Sequence, residues 1–360
     1  MKAARWVFGA ALLPLFGCAS GSAVAVVADD PQLYTVAQDP VGAAAFARAQ
    51  ELVARGDVLA AIPEFRAAVT RCPDLVRAHL AYQDIARQSG GVAAAEMVDY
   101  YRRLPDGDSP VPAYVKARLA DTSFARGTAL RAILARHPRF AWAQLSMARV
   151  QRSKGELLPA VDQFQAAFAL DANLAEARLE RAEVLVEIGR DEEAAVDFEA
   201  YLRLRPRDDA ARHAYAQLLI YRLGRIERAL PLLDELERAG VASVVRMDRA
   251  AAQWRSGDPR GAVSTYLRVL ANEPDSARAL LNVGLLYYDV LPKAPEERAV
   301  FWPKARAAFE LFLLATPPQD GFEQFERTLA VPFRLDVIER TVGGAPASAS
   351  LADLQLPNSG

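Results

Sequence analysis

Gly56, Gly90, Gly155, Gly189, Gly224 and Gly257 stand 34, 65, 34, 35 and 33 residues apart, and the one long interval is close to two short ones. Around each glycine the same pattern recurs: a stretch with helical periodicity, the glycine, a second helical stretch and often a proline. Ala49, Leu52, Gly56, Ala61, Phe65, Ala68 and Pro73 align with Ala182, Leu185, Gly189, Ala194, Phe198, Tyr201 and Pro206, and again with Ala250, Gly257, Ala262, Tyr266, Val269 and Pro274. A helical hairpin of this size cannot bury its apolar face alone, so each copy must stack on the next. The 360 residues therefore read as one elongated array. An apolar content of 52% with 24% charged residues excludes wholesale disorder.

The residue types fit that reading physically. Alanine lets the two helices of a hairpin approach closely, and the aromatic fills the gap toward the next copy. Glycine ends the first helix where a left-handed backbone is needed, and proline closes the second. This pattern resembles the tetratricopeptide (TPR) repeat over residues 42 to 318. The resemblance implies an all-α, right-handed solenoid of about eight helix-turn-helix repeats. The expected register is 42–75, 76–109, a degenerate 110–140, 141–174, 175–208, 210–242, 243–276 and 277–319. In the second copy Asp99 takes the aromatic slot, and Tyr100 and Tyr101 serve instead. In the last copy an insertion around Pro292 to Pro303 separates the helices. Residues 320–342 are expected to form a capping helix, with Phe322, Phe325 and Leu329 facing inward. The Ala/Ser/Gly/Pro-rich residues 343–360 are expected to be a disordered tail.

The N-terminus reads as an address. Lys2 and Arg5 precede an apolar run from Trp6 to Phe16, too short to span a bilayer but of signal-peptide length. It ends in Leu15-Phe16-Gly17-Cys18, which resembles the bacterial lipobox. That resemblance implies a signal peptide at 1–17, lipidation at Cys18 and a tether over 18–41. Ala19, which is not aspartate, favours the outer membrane, with the protein facing the periplasm and held by the lipid alone. The competing reading is ordinary secretion with cleavage after Ala28. With Cys18 acylated, Cys72 is the only thiol left, which rules out a disulfide framework.

Motifs for chemistry are absent: no Gly-rich phosphate loop, HExxH, paired CxxC or nucleophile elbow. No enzyme activity, cofactor or metal is expected. His79 and His213, at the same repeat position, read as packing histidines, and Asp106-Gly107-Asp108 as a solvated turn. A net charge of -2, from 43 basic and 45 acidic residues, gives no global basic field for nucleic acid.

The expected partner is a protein or peptide in the concave groove, which the first helices line in this family. Positions twelve and thirteen of the last three repeats carry Tyr221 and Arg222, Trp254 and Arg255, and Tyr288 and Asp289. They suggest an aromatic row flanked by arginines. Trp142, Arg149 and Arg152 extend it toward the N-terminus, with Glu176, Glu183 and Glu187 as an acidic patch between. Aromatic and arginine side chains dominate binding hot spots. The leading expectation is a non-catalytic, envelope-anchored scaffold for assembly of an envelope, secretion or pilus complex. The alternatives are an accessory scaffold for cell-wall or exopolysaccharide synthesis, and a glycan-binding solenoid.

Overall fold

The computed structural model describes residues 39–240, 243–315, 330–342 and 349–357. The signal peptide, Cys18, most of the tether, and Phe322, Phe325 and Leu329 lie outside the described residues. Within them are seventeen α-helices and no strand. Sixteen form eight consecutive hairpins. They are α1 (Pro40–Ala54) with α2 (Val58–Arg71), α3 (Val76–Ser89) with α4 (Gly91–Arg103), α5 (Val111–Ala117) with α6 (Ser123–Arg136), and α7 (Ala141–Ser153) with α8 (Leu157–Leu170). Then come α9 (Ala175–Glu187) with α10 (Asp191–Leu204), α11 (Asp209–Tyr221) with α12 (Ile226–Arg238), α13 (Ser243–Arg255) with α14 (Pro259–Leu270), and α15 (Ala277–Leu285) with α16 (Arg298–Leu314). α17 (Val331–Val342) packs on α16.

The periodic glycines do what their spacing implies. All six have positive φ, from +65 to +88°, the region that a Cβ disfavours. The alanines do likewise: Ala182 and Ala194 are both fully buried within one hairpin. In the second hairpin Tyr101 is fully buried, while Asp99 lies outside and pairs with Arg102 and Arg103. Helix starts are capped locally, by Asp39 on α1, Thr122 on α6, Asp208 on α11 and Asp258 on α14, each accepting from a backbone N–H three residues on.

Three features shape the array: the first belongs to the copy read as degenerate, and the other two depart from the sequence reading. α5 has seven residues, where the first helices of the other hairpins have thirteen to fifteen, except α15, whose nine residues run on into a π-helical turn at Leu286–Val290. Asp106 to Ser109 form an irregular link, and Pro110 starts the helix late. Second, half of the expected insertion, residues 298–303, is absorbed into a second helix of seventeen residues that runs through Pro303. Phe301 and Trp302, on its first turns, are buried against Tyr287 and Tyr288. Third, residues 349–357 do not behave as a disordered tail. A 3-10 turn at Leu351–Leu354 places a fully buried Leu354 against the last hairpin. The Tyr287 hydroxyl donates to the Leu354 carbonyl at 2.7 Å, and Lys304 donates to the Asp353 carbonyl at 3.2 Å. Among the described residues no ninth hairpin follows the last one, and this segment and α17 both pack on its second helix.

The core divides into two main clusters that meet at α13. Val245 and Ala252 belong to the N-terminal one, which begins at Ala45, and Ala250 to the C-terminal one, which reaches Leu354.

Candidate functional site

The first helices are joined to one another by a polar ladder whose steps are mostly 31 residues. Arg149 on α7 donates from Nε to Glu180 on α9 at 2.8 Å and from Nη2 to the same carboxylate at 2.5 Å. Arg152 reaches Glu183 at 2.8 Å and also pairs with Glu187. Gln217 on α11 donates to Asp248 on α13 at 2.9 Å. Since the repeat is 34 residues, each residue faces a point one helical turn earlier on the neighbouring first helix.

This ladder closes the N-terminal half of the groove. Arg149, Arg152, Glu180, Glu183 and Glu187 satisfy one another, so the expected cationic strip and acidic patch cancel. Arg77 on α3 reaches across the short α5 to the Asn173 carbonyl at 3.3 Å and to Glu176 at 3.4 Å, 99 residues on. Its guanidinium lies 5.8 Å from the Trp142 ring centroid, and Trp142 is only 3% exposed. Trp142 is therefore a core residue, contrary to the sequence reading: a full-length α5 would separate α3 from α7, and the shortened one does not.

The C-terminal half is different. Between α11, α13 and α15 lies a cavity of 570 Å³ lined by Tyr221, Val244, Met247, Tyr266, Ser276 and Asn282, among others. At its wall Asp248, 6% exposed, accepts from His213 Nε2 at 2.6 Å, from Gln217 and from the Tyr221 hydroxyl at 2.5 Å. His213, Gln217 and Tyr221 are four residues apart along one face of α11. Burial alone would raise the Asp248 pKa; the hydrogen bonds from His213, Tyr221 and Gln217 outweigh it and hold the carboxyl below its usual range. Burial and then the bond to Asp248 push the Tyr221 hydroxyl well up, so it stays a donor. Tyr221 as a whole remains 47% exposed.

The expected aromatic row is only partly brought together. Arg255 sits 4.9 Å from the Tyr221 ring centroid and donates to the Ile220 carbonyl at 2.6 Å. Trp254 is half-buried against the C-terminal core. Tyr288 does not present a free face, because Trp302 stacks on it at 5.0 Å and 17°. Arg222 turns away to Asp191 at the start of α10, at 2.9 Å. Asp248 and His213 are what sequence reasoning missed. The signal was available: three donors at i, i+4 and i+8 of one first helix, facing one acid about a repeat later.

Among the described residues no group of three or more His, Cys, Asp and Glu is placed to hold a metal ion, and no helix is long and apolar enough to cross a membrane.

The tetratricopeptide-repeat family model matches residues 46–112 and 247–301. Stacked helical hairpins, glycine turns of positive φ and buried facing alanines define a helical-repeat scaffold. Those two stretches of the chain carry tetratricopeptide repeats. A curated relative, DnaJ homolog subfamily C member 3 of Gallus gallus, is 27% identical over 128 residues, covering 31% of this chain and 25% of its own length. The chain thus matches about a quarter of that relative. The fold is similar to the C-terminal part of a TPR repeat-containing protein of Cytophaga hutchinsonii (16% identity, 69% of this chain and 98% of that one, TM-score 0.49). It is also similar to YrrB, described as a TPR protein with an unusual peptide-binding site (21% identity, 56% and 97%, TM-score 0.45).

Proposed function

We propose that this chain is a non-catalytic scaffold that binds an extended segment of a protein partner in the C-terminal half of its groove. The observation that carries the reading is the contrast between the two halves. In the N-terminal half the groove-facing charges are consumed by the ladder and by Arg77. In the C-terminal half a 570 Å³ cavity combines a half-exposed tyrosine with apolar Val244 and Met247 and polar Ser276 and Asn282. That mixture suits a peptide with an apolar anchor and backbone groups to satisfy. Tyr221 is pre-organised, since Asp248 fixes its hydroxyl and Arg255 its ring face, which lowers the ordering cost of binding.

The proposal places the scaffold at the bacterial outer membrane, held by lipid on Cys18, where its partner belongs to an envelope, secretion or pilus assembly. This rests on the charged start, apolar run and Leu15-Phe16-Gly17-Cys18 pattern. Two experiments separate the parts. A photo-crosslinking amino acid at Val244, which is 50% exposed, should give a discrete adduct in the native envelope, and one at Leu158 should not. Absence of any adduct at Val244 in a folded, correctly located protein would overturn the groove reading. Cys18→Ala should abolish palmitate labelling and release the chain from the membrane fraction; unchanged labelling would overturn the anchor and move processing toward Ala28.

A further inference from the structure

The solenoid leaves space beside the shortened α5. A cavity of 670 Å³ lies between α4, the residues that follow α5 and the start of α6, with Ala94, Met97, Val98 and Leu119 as apolar wall. Three arginines border it: Arg87 at its exposed mouth, Arg102 on α4, and Arg126, half-buried, on the first turn of α6.

The charges around this cavity are unevenly compensated. Arg118 is paired with Asp84, Lys116 with Asp106 and Arg102 with Asp99. Arg87 and Arg126 have no carboxylate within ion-pair distance among the described residues, and Asp121, on the exposed rim, joins no ion pair there. Each of the two arginines makes a single hydrogen bond to protein, to the Arg118 carbonyl at 3.0 Å and to the Ala120 carbonyl at 3.2 Å. A guanidinium has five N–H donors, so most of this donor capacity is unspent. The Arg126 Nε is buried with no acceptor at all, an arrangement that costs free energy unless the guanidinium is held by something else. Burial, with Arg118 and Arg126 nearby, also pulls the Arg87 pKa down, so an added negative charge would relieve the crowding.

We propose that this cavity is an oxyanion-binding site, taking the carboxylate or phosphate group of a small ligand whose apolar body lies against Ala94, Val98 and Leu119. Arginine suits planar and tetrahedral oxyanions because its donors lie in a fixed fork, and the volume is that of a small-molecule site. The site is separate from the cavity between α11, α13 and α15: it uses the end of α3, α4 and the stretch from the end of α5 to the start of α6, and its loss should leave the Val244 adduct unchanged.

The test is calorimetric titration of the full chain in detergent with inorganic phosphate and, separately, with hexanoate, each against chloride of matched ionic strength. Saturable one-to-one binding of at least one probe is expected, and which probe binds identifies the head group. Arg126→Gln and Arg87→Gln should each weaken it by about tenfold or more, the loss of a charge-assisted contact, whereas Arg268→Gln on α14 should not. Because Arg126→Gln could disturb α6, Ala94→Phe provides a second arm: it keeps both arginines and fills the space, and it should abolish binding. No saturable binding of either probe, or full binding by the folded Ala94→Phe variant, would overturn the proposal.

Discussion

Arg149 and Glu180 lie 31 residues apart and clasp each other along the Nε–Nη2 edge of the guanidinium across two neighbouring first helices. Burial alone would lower the Arg149 pKa; the bonds and charge of Glu180 reverse the sign and hold it above the ordinary value. The pair thus couples two repeats through a contact that neither makes alone. Arg149 is still 40% exposed, so solvent screens part of the attraction, and a coupling of about 1 kcal/mol is expected. Denaturation of Arg149→Ala, Glu180→Ala and the double variant measures it directly. A coupling indistinguishable from zero would mean that the ladder is ornament on a solenoid held by apolar packing alone.

His79 should make stability depend on pH in one defined window. It is fully buried, between the Tyr101 hydroxyl at 3.0 Å and the Pro73 carbonyl at 2.8 Å. Burial lowers its pKa from 6.5 to about 4, against the opposing bond to Pro73 and charge of Asp74. The folded state therefore refuses a proton that the unfolded chain accepts. This contribution is flat above the unfolded value, destabilises progressively as pH falls from 6.5 toward 4, and levels off below that. At 1.36 kcal/mol per unit it amounts to about 3 kcal/mol across the window. Urea midpoints measured from pH 7 to 4 should fall less steeply in His79→Gln than in the parent. Parallel curves would show that the imidazole is protonated in place.

Much of this architecture can be read from residue types, and the limit falls at a definite physical point. Gly189 and Ala194 announce a turn and a close contact because backbone sterics and side-chain volume are local properties. The partners of Arg149 and Arg152 are less accessible, because they depend on how far one helix slides past the next, which fixes the step at 31 residues and not 34. Without that offset the two arginines look available to a ligand. Trp142 fails for a related reason: Arg77 covers it only because α5 stops after seven residues. Tyr288 is hidden by Trp302, a residue that belongs to a stretch read as an insertion. Tyr221 survives as a candidate because its exposure follows from its place at the end of a regular first helix.

Gly284 should be intolerant of alanine for a reason unlike that of the turn glycines. A Cβ there would lie 2.4 Å from Phe309 Cε1 and 2.5 Å from its Cδ1, and Phe309 is fully buried. Overpacking of this kind costs about 1–3 kcal/mol, partly offset by about 1 kcal/mol of helix propensity. At Gly224 a Cβ meets nothing, and only the φ of +65° is strained. Phe309→Leu should therefore rescue Gly284→Ala, so that the double variant is more stable than the summed effects predict, and it should leave Gly224→Ala unchanged. Additive behaviour at Gly284 would show that the ring moves aside freely.

The C-terminal segment should act as the lid of the last hairpin. Leu354 is fully buried, Leu351 and Leu356 pack beside it, and Tyr287 and Lys304 hold the backbone at Leu354 and Asp353. Ser350 and Asp353 form a capping box that fixes the turn in between. Replacing Leu354 by alanine removes a buried side chain, at a cost of about 2–5 kcal/mol if the site does not collapse. In a solenoid such damage stays with the nearest repeats. Hydrogen exchange should therefore speed up in α15 and α16 and remain at its parent rate in α1 to α4. Removal of residues 349–360 should reproduce the same map. If exchange in α15 and α16 is unchanged in both variants, the segment rests on the hairpin without stabilising it, and α17 alone closes the array.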